Sequence, residues 1–387
     1  MKYILIIIIW ILSGVSYCAY SSENKLFNLN TMGYVRYGYL FDINKNEVNK
    51  CEQAKGAFAK SRFGNECEGF LEFQLKGELS LQEYNVDFII GWDAVDIFGE
   101  TPRVLYQDEK FIKVTQNKET SVAFWLGKRT YKRHEAHLLD YKYYHIKGNG
   151  LGVENIPFLS THLSLAVFFS GDNPTDLRAY DLRIKSKTYQ LGGLDNTFEF
   201  LFAKSVNELN SNFGKNRTSD SLGMIFNSDF STSIFNKLVI KKTQGGFISH
   251  ELPIVSNQPS DELSGFLMLD ELLLEQFEWS LGMTYLYEVK NKKTSNTKWK
   301  SVGGRYIKYL TEHWNWVLDI SFDHVKIDGI RKSKMHKTSL ALQYSNSRGF
   351  YKRPVWRVFT SLISNKTNPI SNKSNRMNFG IQYEHWW

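Results

Sequence analysis

Apolar and polar residues alternate one for one over stretches of about ten residues, and this pattern limits the fold more than any other feature of the chain. In residues 70–81, Leu71, Phe73, Leu75, Leu79 and Leu81 share one face, while Glu72, Gln74, Lys76, Glu78 and Ser80 share the other. In 278–289, Trp279, Leu281, Met283, Tyr285, Tyr287 and Val289 oppose Glu278, Ser280, Thr284 and Glu288. In 314–323, Trp314, Trp316, Leu318, Ile320 and Phe322 oppose Asn315, Asp319, Ser321 and Asp323. Segments near 33–41, 87–93, 162–170, 198–204, 222–228, 234–241, 302–310, 338–345, 354–362 and 377–387 read as further strands. A soluble sandwich also alternates, but its strands average five or six residues, whereas a tilted membrane strand needs about ten. Trp279, Trp314 and Tyr287 stand on apolar faces near strand ends, where an interfacial aromatic belt would lie. The repeated charged face then needs water, which a barrel lumen supplies. The expected fold is all-β, a transmembrane antiparallel barrel.

Composition removes the main alternatives. Hydrophobic residues make up 42% of the 387, enough to fold, yet nowhere is there the run of about 20 apolar residues that a membrane-spanning helix requires. The formal charge of +8 is spread along the chain without basic blocks, which argues against nucleic acid as a partner. Polar stretches at 42–66, 205–220, 244–262, 289–300 and 363–376 read as outward loops. No Pro/Gly-rich linker and no repeat of 20–50 residues divides the chain. The final residues alternate as well, with Phe379, Ile381, Tyr383 and Trp387 on one parity and Gln382, Glu384 and Trp386 on the other. An aromatic end on an alternating strand is how a bacterial outer-membrane barrel closes its last strand on its first.

Residues 1–21 read as a secretory signal peptide: Lys2 is the positive region, Ile4 to Leu12 is an apolar run too short to span a bilayer, and Ala19 and Ser21 are small residues at a cleavage site. Cleavage after Ala19 is an alternative, as is a retained anchor. Cys18 is not placed as a lipoprotein cysteine, because bulky Tyr17 precedes it. The exported part, 22–387, then holds Cys51 and Cys67, for which a disulfide is the expected state in an oxidising compartment. Metal ligation by this pair is the rival reading, without a Cys-x-x-Cys or paired His to support it.

Three motifs carry a family resemblance. Gly127 to Asp140 reads GKRTYKRHEAHLLD, Gly148 to Ile156 reads GNGLGVENI, and Arg62 to Glu68 reads RFGNECE. With Gly33-Tyr34-Val35-Arg36, the stretch RPVWRVF from Arg353 to Phe359 and the terminal Trp386-Trp387, the chain resembles the maltoporin (LamB-type sugar porin) family, in the family's order along nearly the whole exported part. The resemblance implies about 18 strands, a homotrimer with one pore per subunit in the outer membrane, and a constriction loop at about 130–148 that folds inward. It implies facilitated diffusion of maltodextrins or related oligosaccharides, with no cofactor.

Parity selects sugar-stacking rings independently. Phe70 shares a face with Glu72, Gln74 and Lys76, Trp386 with Glu384 and Gln382, Tyr34 with Arg36, and Tyr351 with Arg353 and Arg357. An apolar ring on a polar face can stack on the C–H face of a pyranose, while charged groups opposite exchange hydrogen bonds with its hydroxyls. The resemblance places the family's aromatic track on these same four residues and adds Phe235. It also adds Phe98, which a neighbouring subunit would donate. For the polar track and constriction it implies Arg36, Arg62, Glu72, Arg133, Glu135 and Asp140. Glu135 stands where the family usually has Asp, and Lys142 stands where it has a constriction Tyr. A one-residue shift to Tyr141 or Tyr143 would restore the ring but break a gapless motif. Lys142 leaves open a general or anion-leaning porin.

Other chemistry finds little support. His134-Glu135-Ala136-His137 lacks the H-E-x-x-H spacing of zinc proteases, and Gly148 to Gly152 lacks that of a dinucleotide fingerprint. No Gly-x-Ser-x-Gly elbow is present. The expectation is no enzyme and no metal; a lipid-hydrolysing barrel and a purely adhesive one are the rivals from other classes.

Overall fold

The computed structural model describes residues 27–43, 47–48, 51–65, 69–95, 106–116, 121–170, 177–207, 217–230, 233–245, 263–292, 295–368 and 372–387. The expected signal peptide, Cys67 and Phe98 lie outside the described residues.

Each long strand pairs antiparallel with the next along the chain, and the circle closes where the first strand (Phe27–Asp42) meets both Phe70–Ser80 and the last strand (Asn372–Trp386). The result is a closed antiparallel barrel of 18 strands. Two short strands, Glu47–Val48 and Tyr189–Leu191, attach to its rims. At the seam Tyr34 is the register partner of Trp386, and Gly33 and Trp387 exchange backbone N–H···O bonds of 3.1 Å. Gly33 permits this approach, since a Cβ there would run into the Trp387 ring. Closure leaves no long strand without a partner on either side among the described residues.

Alternation sets the two faces. Along Trp314–Ile327, Trp314, Trp316, Leu318 and Phe322 are exposed, while Asn315, Val317, Asp319, Ser321, Asp323 and Val325 are buried. The exposed set faces lipid. Of the expected loops at 289–300 and 363–376, residues 289–292, 295–300, 363–368 and 372–376 are instead strand, in Trp279–Lys292, Ser295–Tyr309, Val355–Asn368 and Asn372–Trp386. The wall continues past the apolar band there, so its outward face turns polar and mimics a loop.

One end of the barrel has tight turns, at 81–83, 159–160, 276–278 and 310–313; the other carries the longer connections, including 43–69. Short turns are periplasmic and long loops external in such barrels.

The inner face departs from a simple wet wall. Lys337, Arg183 and Glu384 are each no more than 1% exposed. Two segments cover them. Residues 51–65 lie against strands Arg331–Ser345 and Val355–Asn368: Lys337 donates to the Phe63 carbonyl, the Lys55 N–H to Ser333 Oγ at 3.2 Å, and Phe63 packs on Phe359 at 5.9 Å. Residues 131–147 leave the wall and cross the lumen: nearby Arg183 donates to the Tyr131 and Lys132 carbonyls, and farther round the barrel Lys241 donates to the Tyr143 carbonyl at 2.8 Å and Tyr141 to Glu288. The pairing of Ala123–Ala136 with Tyr141–Phe158 shifts register between Tyr131 and His134, where the hairpin leaves the wall. The two segments also touch, through Arg62 N–H to the Leu138 carbonyl at 3.1 Å.

Candidate functional site: the pore lumen

The track begins where Arg36 pairs in register with Phe70, so Phe70 lies toward the long-loop end of its neighbour Tyr34. The Tyr34 ring is 6.0 Å from Phe70 and 6.3 Å from Trp386, the latter stacked at 29°. Trp386 is followed at 6.3 Å by His137, and His137 at 5.2 Å by Tyr351. Phe70, Tyr34, Trp386, His137 and Tyr351 therefore form a ladder of rings leading from the long-loop side toward the short-turn end. Tyr351 stands in the turn between Arg331–Ser345 and Val355–Asn368, and it is 45% exposed. Phe235 sits half-buried at the start of Ile234–Gln244 and, among the described residues, makes no ring contact with this ladder.

Charge flanks the ladder. Arg133 grips Glu72 with both terminal nitrogens, at 2.5 and 3.2 Å, and its Nε lies 3.5 Å from Glu135. Arg36 donates to Asp140 at 3.2 Å. Burial would raise the Asp140 carboxyl, but the guanidiniums of Arg36 and Arg62 hold it well below the ordinary carboxylate range. His137 is driven the other way from protonation: burial first, then the adjacent Arg62 charge, keep its ring neutral at neutral pH. A neutral imidazole can stand among rings and cations without adding charge.

Glu384 organises the end of the ladder beyond Tyr34. It accepts from Arg62 at 2.6 Å, Arg353 at 3.0 Å, Arg357 at 3.1 Å and the Tyr34 hydroxyl at 2.9 Å. Three guanidiniums around one carboxylate leave the cluster net positive, and Arg353 lies over the Trp386 ring at 4.4 Å. Sequence reasoning named Arg62 but not Arg353, Arg357, Glu384 or His137 as site residues. Their shared parity with Tyr351 and Trp386 was the available signal; the convergence of Arg62 from a distant inward segment was not readable.

Residues 141 to 143 alternate in burial. Tyr141 and Tyr143 are buried against the wall and inward hairpin, Tyr141 edge-on to Trp299 at 5.6 Å and Tyr143 stacked on His134 at 6.0 Å. Lys142, of opposite parity, carries its ammonium 5.7 Å from the centroid of Phe70. Of the three, Lys142 is the one that lies beside a ring of the ladder.

A family model described as LamB porin matches residues 29–387. The chain belongs to the LamB porin family. Its fold also resembles solved structures of distant sequence. Pseudomonas aeruginosa OccK5 (OpdH) is 8% identical, with a TM-score of 0.51 over 93% of this chain and 98% of that one. The outer membrane protein opdK of the same organism gives 8% and 0.51, over 93% and 99%. At such identity these likenesses concern the barrel alone. This LamB porin is thus an outer-membrane β-barrel, and family and fold together point to a channel rather than an enzyme.

Proposed function

We propose that this porin passes maltodextrins or related oligosaccharides by facilitated diffusion along the ring ladder. The observation that carries the reading is the meeting of Phe70, Tyr34, Trp386 and Tyr351, from four separate parts of the sequence, in one file inside the barrel. Each ring offers a stacking step of roughly 0.5–1.5 kcal/mol, by analogy with aromatic pairs. Steps of this size hold a sugar weakly enough to hand it on. Arg133, Glu72, Glu135, Arg36 and Asp140 exchange hydrogen bonds with its hydroxyls. Phe235 extends the path at the short-turn end, and Phe98 enters from a neighbouring subunit of a homotrimer. The signal peptide is removed on export, and a Cys51–Cys67 bridge ties the inward segment 51–65 to its base, contributing roughly 3 kcal/mol.

Single-channel recording with maltohexaose tests the reading. Transient closures should grow more frequent with sugar concentration, and Tyr34→Ala or Trp386→Ala should weaken this block about threefold to tenfold, as losing one such stacking step predicts. Salt conductance should stay close to that of the parent. Block unchanged in both variants would remove the aromatic file from the transport path.

A second reading has its own observation. Lys142 over Phe70 and the net-positive Glu384 cluster favour anionic solutes, as a general, anion-leaning pore would.

A further inference from the structure

We propose that the outward face of four consecutive strands, Ser295–Tyr309, Trp314–Ile327, Arg331–Ser345 and Val355–Asn368, is a binding site for a phosphate-bearing glycolipid of the outer leaflet. The site is independent of the pore and of what passes through it. It starts from register. Lys300 pairs with His324, His324 with Lys334, and Lys334 with Lys366, so four basic side chains form one line across four strands. All four are exposed. With strands about 4.8 Å apart, the line is roughly 15 Å long. A second line lies one step nearer the long loops, where Lys298 pairs with Lys326 and Lys326 with Lys332.

One step toward the membrane interior the chemistry changes. Val302 pairs with Phe322, Phe322 with His336, and the Phe322 and His336 rings stack at 4.4 Å and 5°. Lys300, Phe322, His324, Lys334, His336 and Lys366 border one shallow depression. Below it run exposed Leu318, Leu340 and Leu362, the lipid-facing band itself. The order is therefore acyl-chain surface, then a ring step, then cations, read toward the long-loop end. That is the order of a lipid whose phosphate sits above its chains, and the long-loop end places it in the outer leaflet.

Nothing on the four strands neutralises the lines. Their only Asp residues, Asp319 and Asp323, face inward and are buried, and no Glu occurs in them. Lys326 is met by Asp328 of the adjoining turn at 3.1 Å. Among the described residues no carboxylate pairs with Lys298, Lys300, Lys332, Lys334 or Lys366. Six lysines within two strand steps, with His324 among them, repel one another unless an anion joins them, and each Lys near a membrane surface gains about 1 kcal/mol from anionic lipid. Elsewhere among the described residues Lys110 pairs in register with Lys128, a line of two only, and Lys204 pairs with Tyr180 and Asp220.

The test uses the full folded chain in a non-ionic detergent without sugar headgroups. Its probes are fluorescent lipid A with both phosphates, the same lipid without phosphates, and inorganic phosphate as competitor. The diphosphorylated lipid should bind at least tenfold tighter than the dephosphorylated one, and millimolar inorganic phosphate should not displace it. Lys300→Gln/Lys334→Gln/Lys366→Gln should weaken binding about tenfold or more. The corresponding triple Arg variant should stay within about threefold, and Lys204→Gln should change nothing. Equal binding of the two lipids overturns the site, and decides the matter even if the Gln variant fails to fold. It is also overturned by an unaffected Gln variant, by an equal loss from Lys204→Gln, or by displacement with free phosphate, which would mark a plain anion site.

Discussion

Under the proposed function, Lys142 sets what a solute meets at the first ring of the ladder. Strand-like alternation in the inward segment sends Tyr141 and Tyr143 into packing and leaves Lys142 over Phe70. A sugar stacking on that face has to displace the ammonium, at a cost on the order of 0.5–1 kcal/mol. Lys142→Met should therefore strengthen block by a neutral maltooligosaccharide about twofold to fivefold. The same change should move the reversal potential in a salt gradient toward cations. Single-channel block and reversal potentials read both effects; if neither moved, Lys142 would have no part in selectivity. Among the charged residues, Arg36, Arg62, Glu72, Arg133 and Asp140 were each named from sequence, and they meet as Arg36–Asp140, Glu72–Arg133 and Arg62–Glu384 pairs. Glu384 was legible only as a polar neighbour of Trp386. Its role depends on Arg62 arriving from an inward segment, and no local pattern encodes that arrival.

At the scale of elements, several strands with an apolar outward and a polar inward face were readable almost to their ends, 70–81 against Phe70–Ser80 and 278–289 against Trp279–Lys292, whereas Tyr106–Gln116 and Leu177–Ser186 were not read as strands. The strand Ser264–Glu275 was missed for a physical reason. Its inner residues Leu267 and Leu269 are apolar because they pack, with Leu201, Ile225, Val239 and Leu286, around the inward hairpin. Apolar residues on both parities erase the period of two. The inward course of 51–65 was likewise invisible, since a polar segment rich in Lys and Gly reads as an outer loop. Gly64 holds it in place, with φ +72° and no room for a side chain between Ser339 Oγ and Ser361 Oγ. Gly64→Ala should lower stability by roughly 1–3 kcal/mol, combining backbone strain with overpacking. The heat needed to unfold the barrel, followed by its shift in gel mobility, measures this. An unchanged transition would mean that the segment is not seated on the wall.

For the whole molecule, closure and interior are separate problems. Closure follows from alternation and from a last strand whose Trp386 meets Tyr34. The interior is a lumen partly filled by two segments of the same chain, so many inner charges are paired and buried rather than bathed in water. In the proposed function the sugar passes beside the rings, so that contact as well as size selects it. Liposome swelling with maltose, maltotriose and maltotetraose, each matched to a non-stacking solute of equal mass, tests this most directly. Swelling that falls less steeply with length for the maltose series than for its matched solutes is the predicted result. Rates that depend on mass alone would contradict a path in which the rings carry the sugar.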